Sequence, residues 1–389
     1  MEKTWRWFGK KDIITLPMLR QIGVEGIVTA LYELPPGEIW SLEAILDLKR
    51  FIEAAGLRWP VVESLSVSEA IKYAGKERDE LIENYKISLA NLGKAGVKTV
   101  CYNFMPVIDW VRTDLEHPLE DGSTSIYFDK IRFAYFDCLI LKRLGAENDY
   151  TDEEMLCVRE LDKVITEKEK DALIDTIIVK TQGFINGNIK EGDRNPVAIF
   201  KRLLALYDGI DKEMLRRNLY YFLEKIMPVC EEYGINMCIH PDDPPYQLFG
   251  LPRIVSGQDD IRRLLQAVDN PRNGLTFCAG SLSAGLHNDV VRLAEEFASR
   301  THFLHLRSTH VFDNGNFIEA SHLEGRGHLI ELVRIFEKKN PCLPMRVDHG
   351  RLMLDDKDKN YNPGYSFYGR MFALAQMDGV IATVKSIKN

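Results

Sequence analysis

Cysteine is scarce in this chain: seven residues among 389, irregularly spaced and with no Cys-x-x-Cys pair. That argues against a disulfide framework and for a reducing cytosol. No apolar run approaches the roughly 18 residues of a membrane span. The start, Met1-Glu2-Lys3-Thr4-Trp5-Arg6-Trp7-Phe8, has no apolar stretch of signal-peptide length. Positive charge is in deficit, with 50 basic against 58 acidic residues and a net charge of −8. A general nucleic-acid or membrane-surface binder leans the other way. Internal repeats and low-complexity segments are absent. What remains is ordinary globular composition, 45% hydrophobic and 28% charged, which rules out disordered and fibrous classes.

Short apolar runs alternate with longer amphipathic ones. Strands are expected at residues 4–8, 26–31, 57–64 and 97–104, with helices at 16–22, 41–55 and 76–96. In the last of these helices Leu81, Ile82, Tyr85, Leu89 and Leu92 recur at three- and four-residue spacing. After a long interruption the alternation resumes, with strands at 235–240, 275–278, 302–307 and 343–348. A helix at 219–233, closed by Gly234, precedes these four strands, and helices at 259–268, 288–300, 329–339 and 368–377 follow them. Eight strand–helix units predict an α/β fold, a (β/α)8 barrel. The interruption, 108–211, reads as mostly helical at 129–144, 152–180 and 196–208. Without it about 285 residues remain, near the roughly 250 typical of such barrels. The expectation is one barrel domain over 1–389, with 108–211 as a lid or subunit contact on the catalytic face. An open doubly wound sheet has no support, because no Gly-x-Gly-x-x-Gly sits at a strand–helix turn.

Four strands of the second half end in a possible metal ligand: His240, Cys278, His305 and Asp348. Pro241 disfavours a helical conformation at His240, so the strand ends with that side chain at its tip. Period-two alternation puts Asn236, Cys238 and His240 on one face, with Phe303, His305 and Arg307, and Arg346 and Asp348, on the matching faces of later strands. The opposite faces are greasy and must meet the helix ring, which turns the polar residues inward. Buried polar groups there need partners or a metal. Each residue alone is a weak signal; four aligned strand ends are not. One thiolate, two imidazoles and one carboxylate suit a divalent first-row metal and not the oxygen cages of magnesium or calcium. Zinc, Fe(II) and Mn(II) all remain open on this ground.

Other groups gather at the same rim. Arg307 is placed either to fork onto a substrate carboxylate or to bridge to Asp348 or a glutamate. His349 swings to the barrel mouth if Gly350 makes a turn, and its midpoint suits proton transfer. Tyr365 is presented by the turn Asn362-Pro363-Gly364, as a general acid or as a packed aromatic. Glu63 is a further rim carboxylate. His310 and His322 read as loop or surface residues.

At these residues the sequence resembles the bacterial mannonate dehydratases. The resemblance is carried by His240-Pro241-Asp242-Asp243-Pro244-Pro245, Gly250-Leu251-Pro252-Arg253-Ile254, Cys278-Ala279-Gly280-Ser281-Leu282, His302-Phe303-Leu304-His305-Leu306-Arg307, Asp348-His349-Gly350 and Asn362-Pro363-Gly364-Tyr365-Ser366. In the first half Arg6-Trp7-Phe8-Gly9, Gly26-Ile27-Val28-Thr29-Ala30-Leu31 and Cys101-Tyr102-Asn103-Phe104-Met105-Pro106 agree as well. The family often has threonine where Ala279 stands. The resemblance implies a xylose-isomerase-like barrel and a hydro-lyase that converts D-mannonate to 2-dehydro-3-deoxy-D-gluconate in glucuronate catabolism. It implies one Mn2+ or Fe2+ per chain on His240, Cys278, His305 and Asp348, and active-site roles for Arg307, His349 and Tyr365. A small sugar acid is the expected partner, with a second copy of the chain forming a dimer. The competing readings are a metal-dependent sugar isomerase or epimerase on the same barrel, a non-enzymatic sugar-acid binder, and a metal-barrel nuclease, the last opposed by the −8 charge.

Overall fold

A computed structural model describes residues 1–183, 189 and 192–387. Eight parallel strands close into a barrel: β1 (Glu2–Arg6), β2 (Gly26–Thr29), β3 (Arg58–Glu63), β4 (Thr99–Tyr102), β7 (Asn236–Ile239), β8 (Asn273–Cys278), β9 (Thr301–Leu306) and β12 (Pro344–Val347), with β12 returning to pair β1. Each expected strand is present with moved bounds: β2, β3, β4, β7 and β12 are shorter than expected, β1 and β9 lie one or two residues earlier, and β8 begins two residues earlier. The helices expected after β2, β3 and the four later strands are also there, and the last runs on to Ile387. Local chemistry sets their ends. Ser41 accepts from the Ala44 amide to start Leu42–Ala54, and Gly234, at φ +66°, closes Lys212–Tyr233 in the left-handed region. No helix among the described residues is long and apolar enough to cross a membrane.

The barrel interior has two layers. Val28, Val61, Cys101, Cys238 and Phe303 form a small apolar plug. Beside it lies a polar layer in which buried Arg346 grips Glu63, with Nε to Oε2 at 3.0 Å and Nη2 to Oε1 at 2.9 Å. Cys238, Phe303 and Arg346 therefore face inward with the candidate ligands, as the period-two argument requires. The main hydrophobic core lies outside the barrel wall, where residues such as Ile27, Val62, Val100, Met237, Leu304 and Met345 meet the helices.

The chain between β4 and β7 differs from the expectation in two ways. Its first part pairs as a hairpin, β5 (Asp114–Pro118) with β6 (Thr124–Phe128), around a turn containing Asp121 and Gly122, the latter at φ +82°. That Asp-Gly pair was the available turn signal. β6 then pairs antiparallel with β11 (Phe317–Ala320), which pairs with β10 (Ser308–Val311), so a four-stranded sheet joins the insertion to the loop after β9. The second difference is a break in the helix expected over 152–180. Thr166 and Glu169 form a capping box that starts a new helix at Glu167, after Asp152–Asp162 has ended. His310 is exposed in β10, whereas His322 is buried in its loop, and burial lowers its pKa to about 4.

Candidate active site

The candidate ligands arrive from adjacent strands. His240 follows β7, and its amide bonds to the Tyr102 carbonyl at 2.7 Å, which carries the ladder one residue past the strand. Its Nδ1 lies 2.8 Å from the Pro241 carbonyl, so Nδ1 donates there and Nε2 is presented inward. Cys278 ends β8 and stands in register with His305 of β9. His305 in turn is in register with Arg346 of β12. One ligand atom from each of His240, Cys278 and His305 lies within 4.8 Å of the other two. Asp348, one residue past β12, brings Oδ2 to 3.8 Å from both Cys278 Sγ and His305 Nδ1. The three first-named residues thus form one cluster with Asp348 at its margin, its carboxylate held 2.5 Å from Arg346 Nη1.

The cluster fits a divalent metal on its own chemistry. His305 Nδ1 is fully buried and has no hydrogen-bond partner, which is costly unless something ligates it. Burial opposes ionisation of the Cys278 thiol, but Arg307 and His240 outweigh it and hold its pKa well below the ordinary value. A thiolate is the ligand form of cysteine. Burial likewise opposes the His240 cation, and the neighbouring Cys278 thiolate overrides it, raising the ring to about 10. A divalent first-row cation would take the place of this ion pair.

The other expected residues stand around the cluster. His349 and Tyr365 both line the same small cavity, about 40 Å³ in volume, with Arg6, Glu63, Asp109 and Trp110. The strand stops at Val347, so the chain turns and His349 enters the mouth. Two glycines make that turn possible. A Cβ on Gly350 would meet the Arg370 amide nitrogen at 2.5 Å, and one on Gly364, at φ +83°, would meet His349 Cγ at 2.7 Å. Tyr365 follows Gly364 and is buried, and its hydroxyl accepts from Arg6 Nη1 at 3.1 Å. Burial raises its pKa to about 12 against the pull of Arg6 and Arg346, so the phenol keeps its proton at neutral pH.

Arg307 is the most heavily engaged side chain. Nη2 donates to Asp243 Oδ2 at 2.5 Å, Nη1 to Glu319 Oε1 at 3.0 Å, and Nε lies 3.3 Å from Asp348 Oδ2. Both alternatives read from sequence therefore share one position: the guanidinium edges the cavity and bridges carboxylates at once. Burial opposes ionisation of Asp243, but Arg112 and Arg307 dominate and hold it far below the carboxylate range. Glu63 is buried between Arg346 and Arg6.

Several residues at and around the cavity carried no role in the sequence reading. Arg6 and Asp243 lie in the motifs that carry the family resemblance. Asp109, Trp110 and Arg112 come from the start of the insertion. Glu319 had a faint signal: it shares the buried face of β11 with Phe317, where a period-two strand places apolar residues.

A family model for D-mannonate dehydratase (UxuA) matches residues 1–389. A mannonate dehydratase from Marinomonas sp. (strain MWYL1) is 46% identical over 396 residues, covering 99% of this chain and 100% of that protein. One from Chromohalobacter salexigens is 44% identical over 396 residues, covering 100% of each. Among solved structures, the mannonate dehydratase from Streptococcus suis serotype 2 aligns with a TM-score of 0.78 at 35% identity, covering 100% of this chain and 96% of that one. With a family match along its whole length and full-length relatives well above 30% identity, this chain belongs to the D-mannonate dehydratase family.

Proposed function

We propose that this protein is a cytoplasmic mannonate dehydratase of glucuronate catabolism, a hydro-lyase that takes water from D-mannonate and leaves 2-dehydro-3-deoxy-D-gluconate. The observation that carries the reading is the convergence of His240, Cys278 and His305 on one rim, in a chain that matches the family end to end. One Mn2+ or Fe2+ is held by these three residues with Asp348 as the fourth ligand. When bound, the ion supplies positive charge to a developing carboxylate dianion or a departing hydroxyl.

The chain's own residues supply the rest. The reaction removes the weakly acidic proton on C2, beside a carboxylate, and the hydroxyl on C3. It therefore needs a base, an acid and a cation near the carboxylate. His349 and Tyr365 are the base–acid pair, their rings packed edge to face with centroids 5.2 Å apart at the cavity wall. Arg307 supplies fixed positive charge at the edge of the same space. The cavity, about 40 Å³, is far below the roughly 300–1,000 Å³ of ordinary ligand pockets, so admitting a six-carbon acid requires its lining to open. The segment 108–211, inserted into the single barrel domain, serves as that lid or as the contact in a homodimer.

The deciding test offers D-mannonate beside aldoses and ketoses to metal-loaded and chelated protein, coupled to detection of a 2-keto-3-deoxy acid. Product from D-mannonate alone, lost on chelation and restored by Mn2+ or Fe2+, is expected. Ketose–aldose interconversion without a keto-deoxy acid means an isomerase or epimerase instead.

Arg307→Lys keeps one positive charge but cannot span Asp243 and Glu319 together. Losing one charged hydrogen bond costs about 1.5–3 kcal/mol, so kcat/KM should fall by about 10- to 100-fold with metal content intact. Wild-type kinetics in that variant would remove Arg307 from the chemistry.

A further inference from the structure

Four carboxylates line the cavity, and three of them are gripped by arginines. Glu63 is held by Arg6 and Arg346, Asp243 by Arg112 and Arg307, and Asp348 by Arg346 and Arg307. The fourth is Asp109. Among the described residues it is in no ion pair, and its side chain accepts one hydrogen bond, from Asn103 Nδ2 to Oδ2 at 2.7 Å. Burial raises its carboxyl above the ordinary value, against the pull of His240, Arg6 and Lys72. A carboxylate so placed gains from a further donor.

Its position points to what that donor is. Of the lining residues only Ser64, Asn103, Asp109 and His240 are half-buried, and the others are buried. These four follow β3, β4 and β7, so the cavity opens on that side of the rim. His349 and Tyr365 follow β12, which faces β4 across the eight-stranded barrel. With the carboxylate of the sugar acid beside the metal cluster and Arg307, and C2 and C3 beside His349 and Tyr365, the remaining carbons run toward the open edge. Each of them carries a hydroxyl, which is a donor. The backbone of Asp109 is fixed without its carboxylate. Its amide donates to Gln182 Oε1 at 3.0 Å, and Gln182 Nε2 donates to the Trp110 carbonyl at 2.6 Å.

We propose that Asn103 and Asp109 form the subsite for the polyol tail of the sugar acid, with Asp109 accepting a hydrogen bond from a hydroxyl beyond C3. This rests on the dehydratase reading above. It makes Asp109 a specificity-determining residue, supplied by the start of the insertion, that selects a polyhydroxy acid over a short one. The rival account is that Asp109 only orients Asn103 and the loop after β4.

Two acids separate these accounts. One is D-mannonate. The other is 2,3-dihydroxybutanoate of the same configuration at C2 and C3, which keeps the reacting end and has no hydroxyl beyond C3. The short acid is read as a competitive inhibitor of D-mannonate turnover, so it need not react. In Asp109→Ala, kcat/KM for D-mannonate should fall by about 10- to 100-fold, the worth of a hydrogen bond to a charged group. The inhibition constant of the short acid should stay within about threefold, with metal content unchanged. Asp109→Asn keeps the shape, and its amide still bonds a hydroxyl but without the charge, so its loss should be about three- to tenfold, again with the short acid unaffected. That variant carries the test if Asp109→Ala does not fold. Equal losses for both acids would make Asp109 structural, and wild-type kcat/KM for D-mannonate in the variants would mean that no tail contact is made there; either result overturns the proposal. The dehydratase reading fails on a different observation, the absence of a 2-keto-3-deoxy acid when metal-loaded wild-type protein is given D-mannonate, and the subsite would fall with it.

Discussion

Replacing Cys278 with serine should empty the metal site and stop turnover together. Serine keeps the size of the side chain but not its charge, because a hydroxyl does not ionise near neutral pH as this thiol does beside Arg307 and His240. The remaining donors would be two imidazoles and a carboxylate already held by Arg346. Loss of a residue that merely orients a ligand costs about 10- to 100-fold in metal affinity or activity. Loss of the anionic ligand itself should exceed that, with metal per chain falling in parallel by elemental analysis. The double variant His240→Ala with Cys278→Ala is the sterner form, and full metal content in it would sink the assignment. Acid should act like the mutation. The ligand forms are a thiolate at Cys278 and neutral rings at His240 and His305, and without metal the His240 ring holds its proton up to about 10. Below that value, binding must expel the His240 proton, so affinity weakens as pH falls and metal uptake releases acid. Calorimetry of metal binding in buffers of different ionisation enthalpy should register that release at neutral pH. No proton release would mean that His240 is not a ligand.

The convergence of the candidate ligands was legible in the sequence because barrels place functional groups at strand ends. His240, Cys278, His305 and Asp348 lie over more than 100 positions, yet each sits at the end of an apolar alternation, and parallel pairing makes those ends neighbours. Helix boundaries followed from caps such as Ser41 and Gly234 for the same reason: they are local. The less legible parts were non-local. The β6–β11 pairing joins residues nearly 200 positions apart, and neither strand carries a strong alternation. Glu319 and Arg112 depend on that pairing, so their place beside His349 could not be read in advance. The fate of Arg307 was undecided for a related reason, since its partners Asp243 and Glu319 lie in the loop after β7 and in β11. The break at Thr166 was readable in principle, and the run of charged residues that follows it hid the capping box.

His349→Asn and Tyr365→Phe should each nearly abolish dehydration while leaving the metal bound. Neither side chain is among the converging ligands, and each removes one proton-transfer partner. General acid–base groups contribute about 10²–10⁴ in rate, so each variant should fall by that order. Both substitutions are close in shape, which protects the packing of the two rings against each other. Their difference should appear in a second assay, exchange of the C2 proton of D-mannonate with solvent deuterium. Tyr365 keeps its proton at neutral pH, with burial raising it to about 12, which suits the acid that meets the departing hydroxyl. His349, whose Nδ1 side is occupied by Glu319 and Arg307, turns Nε2 toward Asp348 on the metal side, which suits the base that takes the C2 proton. Tyr365→Phe should then still exchange that proton if the carbanion has a lifetime, while His349→Asn should not. The reverse pattern would exchange the two roles without disturbing the site. Near-normal dehydration in both variants would remove the pair, and the proton would then have to move through another lining group, with Glu63, already at the cavity wall, the first to substitute.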